Sequence, residues 1–253
     1  MPTPNPIKAA LRRGEKQIGC WLTLNSPSAT ELIAGAGFDW VLIDMEHTAI
    51  SESEVVDHLR AAAAGGRSEP IVRMPWNDPV MTKRLLDSGA RSIIVPYVQT
   101  VEEAGRAVAS TRYPPAGTRG FAGTHRGNSY GRNKEYWRAL DDEIFLALQV
   151  ESPQAVALAG EIAAIDGVDC VFVGPNDLAV NMGRIGEAHT PAVQAVIGSV
   201  IAPVKAAGKA PGVLDFNADN AKRWLEAGFD FVAVGSDTSL LVSGVNSLVA
   251  AFR

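Results

Sequence analysis

The feature that most constrains the fold of this chain is a regular alternation of short apolar runs with longer segments of helical pattern. The runs are rich in β-branched residues, and several are apolar nearly throughout, which is typical of parallel strands buried on both faces. We predict eight strands, over residues 18–24, 40–45, 70–74, 92–98, 144–150, 169–174, 210–216 and 230–236.

The segments between the predicted strands carry the pattern of amphipathic helices. Several end in glycine, for example at Gly89, Gly208 and Gly228, and glycine just past a helix is a common stop signal. We predict helices over residues 28–37, 51–65, 78–90, 100–112, 152–165, about 191–207 and 217–228. The long segment 112–142 between the fourth and fifth strands is predicted to be a loop with a functional or interface role.

Eight strands alternating with helices in 253 residues predict a single-domain (β/α)8 barrel, the TIM-barrel fold, spanning residues 1–253. The alternative is a doubly wound open sheet, which would normally carry a glycine-rich phosphate-binding loop after an early strand. No GxGxxG motif follows a predicted strand, and neither GxxxxGKS nor GxxxxGKT occurs. The barrel is therefore favoured.

Composition argues against several classes of protein. The formal net charge is −5, whereas a nucleic-acid-binding domain is expected to be basic. The N-terminus lacks the apolar segment of a signal peptide, and no run of about 18 apolar residues could form a transmembrane helix. Cys20 and Cys170 lie inside predicted strands, where reduced, buried thiols are expected. We therefore expect a cytoplasmic enzyme with neither nucleic acid nor membrane as a partner.

Polar residues collect at the C-terminal ends of the predicted strands, where barrel enzymes carry their chemistry. Taken singly, each has a structural explanation: Asp177 can cap a helix, Glu151 can favour a first helical turn, and Arg73 can pair with a barrel carboxylate. Together, at one end of the barrel, they favour an active site. The set comprises Asp44, Glu46, His47, Arg73, Gln149, Glu151, Asn176, Asp177, Ser236 and Asp237.

The residue types in this set point to proton chemistry beside a carbonyl group. Glu151 and Asp177 offer hard oxygen ligands for Mg2+, Mn2+ or Co2+, whereas a zinc site would prefer more His or Cys ligands. His47 is a suitable general base, which Asp44 and Glu46 could orient directly or through metal-bound water. Arg73 suits a substrate carboxylate, so the set predicts enolisation of an α-keto acid.

The lysine positions argue against a mechanism in which a lysine forms a Schiff base with the substrate. A Schiff-base aldolase needs a lysine inside the barrel near its C-terminal mouth. Of the seven lysines only Lys209 adjoins a predicted strand, and it precedes that strand, which places it at the opposite end. A metal-dependent route is therefore favoured.

The motifs LIDMEH, VRMPWNDP, LLDSGARSIIVPYVQTVEEA, YPPAGTRG, LQVES and VFVGPNDLA resemble the HpcH/HpaI aldolases, the class II pyruvate aldolases, from about residue 18 to residue 240. The resemblance implies a (β/α)8 barrel that cleaves 4-hydroxy-2-oxo acids reversibly to pyruvate and an aldehyde. It also implies a divalent metal ion and a homo-oligomer, a hexamer built as a trimer of dimers.

The resemblance assigns roles to individual residues. His47 is implied to be the catalytic base, acting through a metal-bound water and supported by Asp44. Arg73 is implied to bind pyruvate and to steady the enolate. The remaining implied roles are metal ligation by Glu151 and Asp177, substrate contact by Gln149, Asn176 and Leu214, support from Glu46, and contribution of Asp87 to the site of an adjacent subunit.

The chain departs from the family pattern in two places. Asn176 stands where Ala or Ser is usual, and FAGTHRGNSYGR replaces a loop that often contains Arg-Ala-Ser, so His125 and Arg126 have no assigned role. Either departure could change which aldehyde is accepted. Leu214, Asp215 and Phe216 are expected to line the aldehyde end, and a leucine and a phenylalanine there favour a less hydroxylated substrate.

Four functional hypotheses follow. The leading one is cleavage of 4-hydroxy-2-oxoheptanedioate to pyruvate and succinate semialdehyde. The second is a sugar-acid aldolase acting on 2-dehydro-3-deoxyglucarate or a 2-keto-3-deoxy-aldonate. The third is a metal-free ligand-binding barrel, and the fourth is a thioester lyase similar to the citrate lyase β subunit.

Overall fold

The computed structural model describes residues 4–253, which form a closed barrel of eight parallel strands. Each strand pairs with its neighbours in sequence, and the last strand pairs with the first. The predicted barrel is therefore confirmed. The strands are β1 (Gln17–Leu22), β2 (Trp40–Asp44), β3 (Glu69–Arg73), β4 (Ser92–Val95), β5 (Phe145–Val150), β6 (Cys170–Val173), β7 (Ala210–Leu214) and β8 (Phe231–Ser236).

Helices surround the barrel, and those predicted from the sequence are present. Two of the predicted helices are interrupted, so residues 152–165 form α7 and α8, and residues 191–207 form α10 and α11. The helices are α1 (Pro6–Arg12), α2 (Pro27–Ala34), α3 (Glu52–Gly65), α4 (Pro79–Asp87), α5 (Val101–Thr111), α6 (Leu140–Glu143), α7 (Pro153–Ala157), α8 (Ala159–Ala163), α9 (Pro175–Asn181), α10 (Pro191–Gly198), α11 (Ile201–Ala206), α12 (Ala218–Ala227) and α13 (Asp237–Ala250).

Aromatic rings fill the interior of the barrel. Trp40 stacks on Phe231 with ring centroids 4.2 Å apart, and Trp21 packs against Phe172 at 5.8 Å. Gly19 makes room for this packing, because a Cβ there would lie 2.0 Å from the Trp40 ring. Since successive side chains of a strand alternate between the two faces, the same strands send a second apolar layer outward against the helices.

The helix α1, which the sequence analysis missed, packs against the N-terminal end of the barrel. The Asn5 side chain caps it by accepting hydrogen bonds from the amides of Ile7 and Lys8, and Pro6 occupies its first position. Ile7 is buried in the inner apolar cluster, and the Lys8 ammonium donates to the Ile144 carbonyl oxygen at 2.9 Å. The Asn-Pro pair was the available signal for this short helix.

The helix α13 is attached to the barrel only through its first turn. Asp237 accepts hydrogen bonds from the backbone amides of Thr23 and Leu24, which joins the end of β1 to the start of α13. Residues 240–253 are all exposed, and large apolar side chains are among them: Leu240, Leu241, Val242, Val245, Leu248, Val249 and Phe252. No helix in residues 4–253 is both long and apolar enough to cross a membrane.

Candidate active site

A cavity of about 370 Å³ opens at the C-terminal ends of the strands, a volume typical of small-molecule sites. Eight of the residues predicted to form the site line it, and Trp21, Thr23, Gly174 and Pro175 complete the wall. The eight are Asp44, His47, Arg73, Gln149, Asn176, Asp177, Leu214 and Phe216. Most of the polar strand ends identified in the sequence therefore converge, whereas Glu46, Glu151, Ser236 and Asp237 are not among the lining residues.

A buried ion pair between β2 and β3 lies on one side of the cavity. Arg73 donates to Asp44 twice, from Nε to Oδ1 at 2.8 Å and from Nη2 to Oδ2 at 2.6 Å. Burial opposes ionisation of Asp44, but the hydrogen bonds and charge of Arg73 outweigh it, and the pKa of Asp44 lies below its ordinary value. Asp44 is therefore ionised, and its position is fixed.

The turn after β2 carries Glu46 and His47 towards the same space. Glu46 Oε2 lies 2.9 Å from Arg73 Nη1 and 3.9 Å from His47 Nε2. Burial raises the pKa of Glu46 above its usual value, although the charge of Arg73 opposes the shift. The His47 side chain is 61% exposed, so its imidazole can reach a substrate in the cavity.

Glu151, just past β5, is a buried carboxylate among other carboxylates. Burial, with the charges of Glu46 and Asp177, raises the pKa of Glu151 to about 8. Gln149 Nε2 donates to Glu151 Oε1, which leaves the buried Gln149 Oε1 without a protein partner and available to a ligand. Gly174 permits this arrangement, because a Cβ there would lie 2.4 Å from Glu151 Oε1.

Asp177 lies in the first turn of α9, half-buried beside the exposed Asn176. The capping position of this helix is occupied by Gly174, and no side-chain hydrogen bond caps the helix. The carboxylate of Asp177 is therefore not used as a helix cap, which was the structural explanation available from sequence. It faces the cavity instead.

The donor set at the mouth fits a divalent metal ion. The raised pKa of Glu151 reflects burial first and the negative charges of Glu46 and Asp177 second, and a bound cation would favour the ionised carboxylate. Within residues 4–253 no three His, Cys, Asp or Glu side chains converge closely enough to hold a metal alone. Glu151 and Asp177 would leave positions for water and substrate oxygens, a pattern that suits Mg2+, Mn2+ or Co2+ better than Zn2+.

Comparison with known proteins gives the same assignment as the motifs. The HpcH/HpaI aldolase/citrate lyase family matches residues 17–244 of the chain. The chain belongs to this family. The family's aldolases are carbon–carbon lyases, so the family and enzyme class predicted from the sequence are confirmed.

Three known proteins illustrate how similar this chain is to its relatives. A 4-hydroxy-2-oxo-heptane-1,7-dioate aldolase from Salmonella arizonae is 47% identical over 249 residues, 98% of this chain and 94% of that protein. A family protein from Burkholderia cenocepacia J2315 has a TM-score of 0.95 at 39% identity, covering 98% and 99% of the two chains. The HpcH/HpaI aldolase from Desulfitobacterium hafniense DCB-2 has a TM-score of 0.89 at 28% identity, covering 99% and 97%.

Asp87 is a predicted site residue that does not line the cavity. It ends α4, where its Oδ1 accepts a hydrogen bond from Arg119 Nη2 at 2.7 Å. Arg119 is fully buried between the rings of Tyr113 and Tyr136. His125 Nε2 lies 3.8 Å from the same Asp87 oxygen. In one copy of the protein, these contacts hold the long segment before β5 against the end of α4.

Two further residues from the sequence analysis have structural roles here. Arg126 Nη1 donates to the Ser88 carbonyl oxygen at 2.9 Å, next to the end of α4. Ser236 caps α13 by accepting from the Ser239 amide.

Trp21 is the main residue of the HpcH/HpaI site that the sequence analysis missed. Its ring lies 5.0 Å from the Arg73 guanidinium carbon, and its Nε1 donates to Asp44 Oδ2 at 3.3 Å. The indole therefore buttresses the ion pair and contributes an apolar wall to the cavity. The alternation of side chains between the two faces of a strand was the available signal, because it places Gly19 and Trp21 together on the inner face of β1.

Proposed function

We propose that the chain is a class II pyruvate aldolase that cleaves 4-hydroxy-2-oxoheptanedioate reversibly to pyruvate and succinate semialdehyde. The observation that carries the proposal is that Asp177 lines the same cavity as the Arg73–Asp44 pair and His47, while the buried Glu151 lies close enough for the charges of Asp177 and Arg73 to act on its pKa. The name of the Salmonella arizonae relative supports the choice of substrate.

His47 is the proposed base. It removes the proton of the substrate 4-hydroxyl group, the C3–C4 bond breaks, and its electron pair forms the enolate of pyruvate. Protonation of C3 then gives pyruvate. Glu46, 3.9 Å from His47 Nε2, and Asp44, which accepts a hydrogen bond from the Glu46 amide at 3.0 Å, hold this turn in place.

Arg73 is the proposed ligand of the pyruvate half. Its two hydrogen bonds to Asp44 use one N–H each of Nε and Nη2, and Nη1 lies 2.9 Å from Glu46 Oε2 as an ion pair. A guanidinium has five N–H groups, so at least two donors remain for a substrate oxygen. Gln149 Oε1, which has no protein partner, lies in the same cavity wall.

Glu151 and Asp177 are the proposed ligands of a divalent cation, Mg2+, Mn2+ or Co2+. Such an ion, when bound, supplies positive charge where negative charge develops on the keto and carboxylate oxygens. Gly174 keeps the space beside Glu151 open, and the Asn181 amide holds the Glu151 backbone by donating to its carbonyl oxygen at 2.8 Å.

The aldehyde end of the cavity is apolar. Leu214, Phe216 and Pro175 form this wall, and Trp21 lies nearby on β1. An apolar wall favours the methylene chain of the heptanedioate over the several hydroxyl groups of a sugar acid, because buried hydroxyls would lack partners there. The sugar-acid aldolase therefore remains the second candidate.

A homo-oligomer is also part of the proposal, and a hexamer is the form that the family resemblance implies. The exposed apolar residues of α13 support association, since a solvated helix would leave them in water. On the outer wall between β8 and β1, Ile18 and Val234 are only half-buried. In a two-fold dimer, each copy would place its α13 over this wall of the other copy.

The buried, unpaired thiols of Cys20 and Cys170 support a cytoplasmic location.

Exchange of the pyruvate methyl protons with D2O, followed by NMR, tests the proposal without any assumption about the aldehyde. We expect exchange that EDTA abolishes and that Mn2+ or Mg2+ restores. Metal-loaded protein that gives no exchange above the buffer rate would contradict the aldolase assignment. The binding-barrel and thioester-lyase hypotheses would then become the leading ones.

A further inference from the structure

The proposed substrate carries a second carboxylate, and the cavity offers it no free cation. Among residues 4–253, the basic residues that line the cavity are His47 and Arg73. His47 is assigned to the substrate 4-hydroxyl group and Arg73 to the pyruvate half, and Arg73 already pairs with two carboxylates. A group that recognises the distal carboxylate must therefore lie on the rim, beyond the apolar wall of the aldehyde end.

His189 faces Asp215, the residue between two members of that wall. It precedes α10 in the loop that follows the mouth residues of α9, and it meets the loop that follows β7. Its Nδ1 lies 3.7 Å from Asp215 Oδ2 and 3.4 Å from Asn220 Nδ2. Asp215 stands between Leu214 and Phe216, the two residues that line the aldehyde end. His189 is thus held next to the wall where the acceptor enters.

Asp215 is a buried carboxylate with an unusual set of partners. Its side chain is 3% exposed, yet among residues 4–253 no Lys or Arg forms an ion pair with it. It accepts hydrogen bonds from the Asn217 amide at 3.1 Å and the Asn220 side chain at 3.5 Å, and His189 is the basic group that faces it. In the doubly protonated form of the imidazole, the Nδ1–H group faces Asp215 and the Nε2–H group is left for a ligand.

We propose that His189, oriented by Asp215, binds the distal carboxylate of an acceptor aldehyde and so selects aldehydes that end in a carboxylate. With Nδ1 directed at Asp215 and 66% of the side chain exposed, Nε2 is free to donate to a ligand. The inference rests on the proposed aldolase function and adds the specificity of its acceptor side. It predicts that kcat/KM depends on the charge of the aldehyde as well as on its length.

A purely structural role would also explain these contacts, because His189 joins two loops of the barrel mouth. The two roles differ in what they do to different aldehydes. Loss of a residue that only joins the two loops would lower kcat/KM for every aldehyde alike. Loss of a carboxylate-binding residue would lower it only for aldehydes that carry the charge. Two other cations of this region serve as controls: Arg184 pairs with Glu187 at 3.1 Å, and Arg223 contacts the Asn220 side chain.

The experiment measures kcat/KM for aldol addition of pyruvate to succinate semialdehyde and to its neutral methyl ester. Wild type, His189→Gln and the charge-matched control Arg223→Gln are assayed with saturating Mn2+ at about pH 6, where imidazole groups are largely protonated. We expect His189→Gln to lower the ratio of acid to ester kcat/KM by about fivefold, the modest effect of one exposed charge-assisted hydrogen bond. The control should leave the ratio as in the wild type.

An equal loss for acid and ester, or an unchanged ratio in His189→Gln, would overturn the proposal. A ratio that falls as far in Arg223→Gln would also overturn it, because the cause would then be the general charge of the rim. Pyruvate proton exchange is measured on the same samples. If exchange itself is absent from wild type, the aldolase function has failed; if exchange is present and the ratio does not move, only the role of His189 has failed.

Discussion

Arg73 and Asp44 are paired residues at the ends of neighbouring strands, and they form two parallel hydrogen bonds of 2.8 and 2.6 Å. Both side chains are almost fully buried, so neither charge is compensated by water. A buried pair of this kind contributes little net stability but is costly to break from one side. The pair therefore matters most for the geometry of the cavity.

Replacing Arg73 with Lys tests this geometry. Lysine keeps the charge but cannot form two parallel hydrogen bonds, so Asp44 and the substrate carboxylate lose their planar partner. We expect kcat/KM for aldol cleavage to fall by about 100-fold or more, and the free energy of unfolding to fall by about 1–3 kcal/mol. Arg60→Lys, at an exposed pair with Asp57, is the matched control and should change neither quantity. Near wild-type activity in Arg73→Lys would remove Arg73 from the pyruvate site.

Much of this site was predictable because the chemistry follows the strands. The alternation of apolar runs with helical segments, together with the flanking glycines, locates eight strands. Because the C-terminal ends of parallel strands in a barrel share one mouth, Asp44, Arg73 and Asp177 had to approach one another. Trp21 was missed because an inward tryptophan in a strand looks like any core residue. Its site role comes from a neighbour, Arg73, that sequence spacing does not place beside it.

Other features depended on contacts that no local pattern encodes. Asp237 follows β8 as a polar strand end, like the cavity residues, yet it binds the amides of Thr23 and Leu24. No helix was predicted after β8, so the exposed apolar side chains of α13 were not anticipated either.

The raised pKa of Glu151 predicts a pH dependence of stability in metal-free protein. A carboxyl with a folded pKa of about 8 and an ordinary unfolded pKa holds its proton more tightly in the native state. Stability from this group is therefore complete below the unfolded pKa and is lost as the pH rises towards 8. The loss is on the order of 1.4 kcal/mol for each unit of pKa shift.

Urea unfolding of EDTA-treated protein between about pH 5 and pH 8 measures this effect. We expect Glu151→Gln to flatten the decline and to be more stable than wild type at the alkaline end. Saturating Mn2+ should remove the decline in wild type, because a bound cation favours the ionised carboxylate. Parallel curves for wild type and variant would mean that Glu151 ionises normally.

Gly174→Ala tests the space beside the proposed metal ligand. The added methyl group would lie 2.4 Å from Glu151 Oε1 and 2.9 Å from Gln149 Nε2, so both side chains must move. We expect Mn2+ affinity, measured by calorimetry, to fall by about 10- to 100-fold while circular dichroism shows an intact fold. Gly105→Ala in α5, where an added Cβ meets nothing within 4 Å, should bind Mn2+ as wild type does.

The exposed helix α13 predicts the outcome of a surface substitution. Val245→Asp places a charge in the middle of its apolar residues, which would be buried if a second copy covers them. We expect light scattering to show dissociation into smaller species without loss of barrel secondary structure. Asn246→Asp adds the same charge one position away on a polar residue and serves as the control. A monomeric wild type would contradict the proposed oligomer.

The position of Asp87 predicts complementation between two inactive variants. Asp87 ends α4 and pairs with Arg119, outside the cavity that holds His47, so any catalytic contribution must reach the mouth of another copy. His47→Ala and Asp87→Asn should each lose most turnover, and His47→Ala should still bind Mn2+. When the two are mixed and allowed to exchange subunits, about a quarter of the sites in a random oligomer combine an intact His47 with an intact Asp87. Activity should then return towards that fraction. If each variant is inactive alone and the mixture stays inactive after confirmed exchange, Asp87 acts within its own chain.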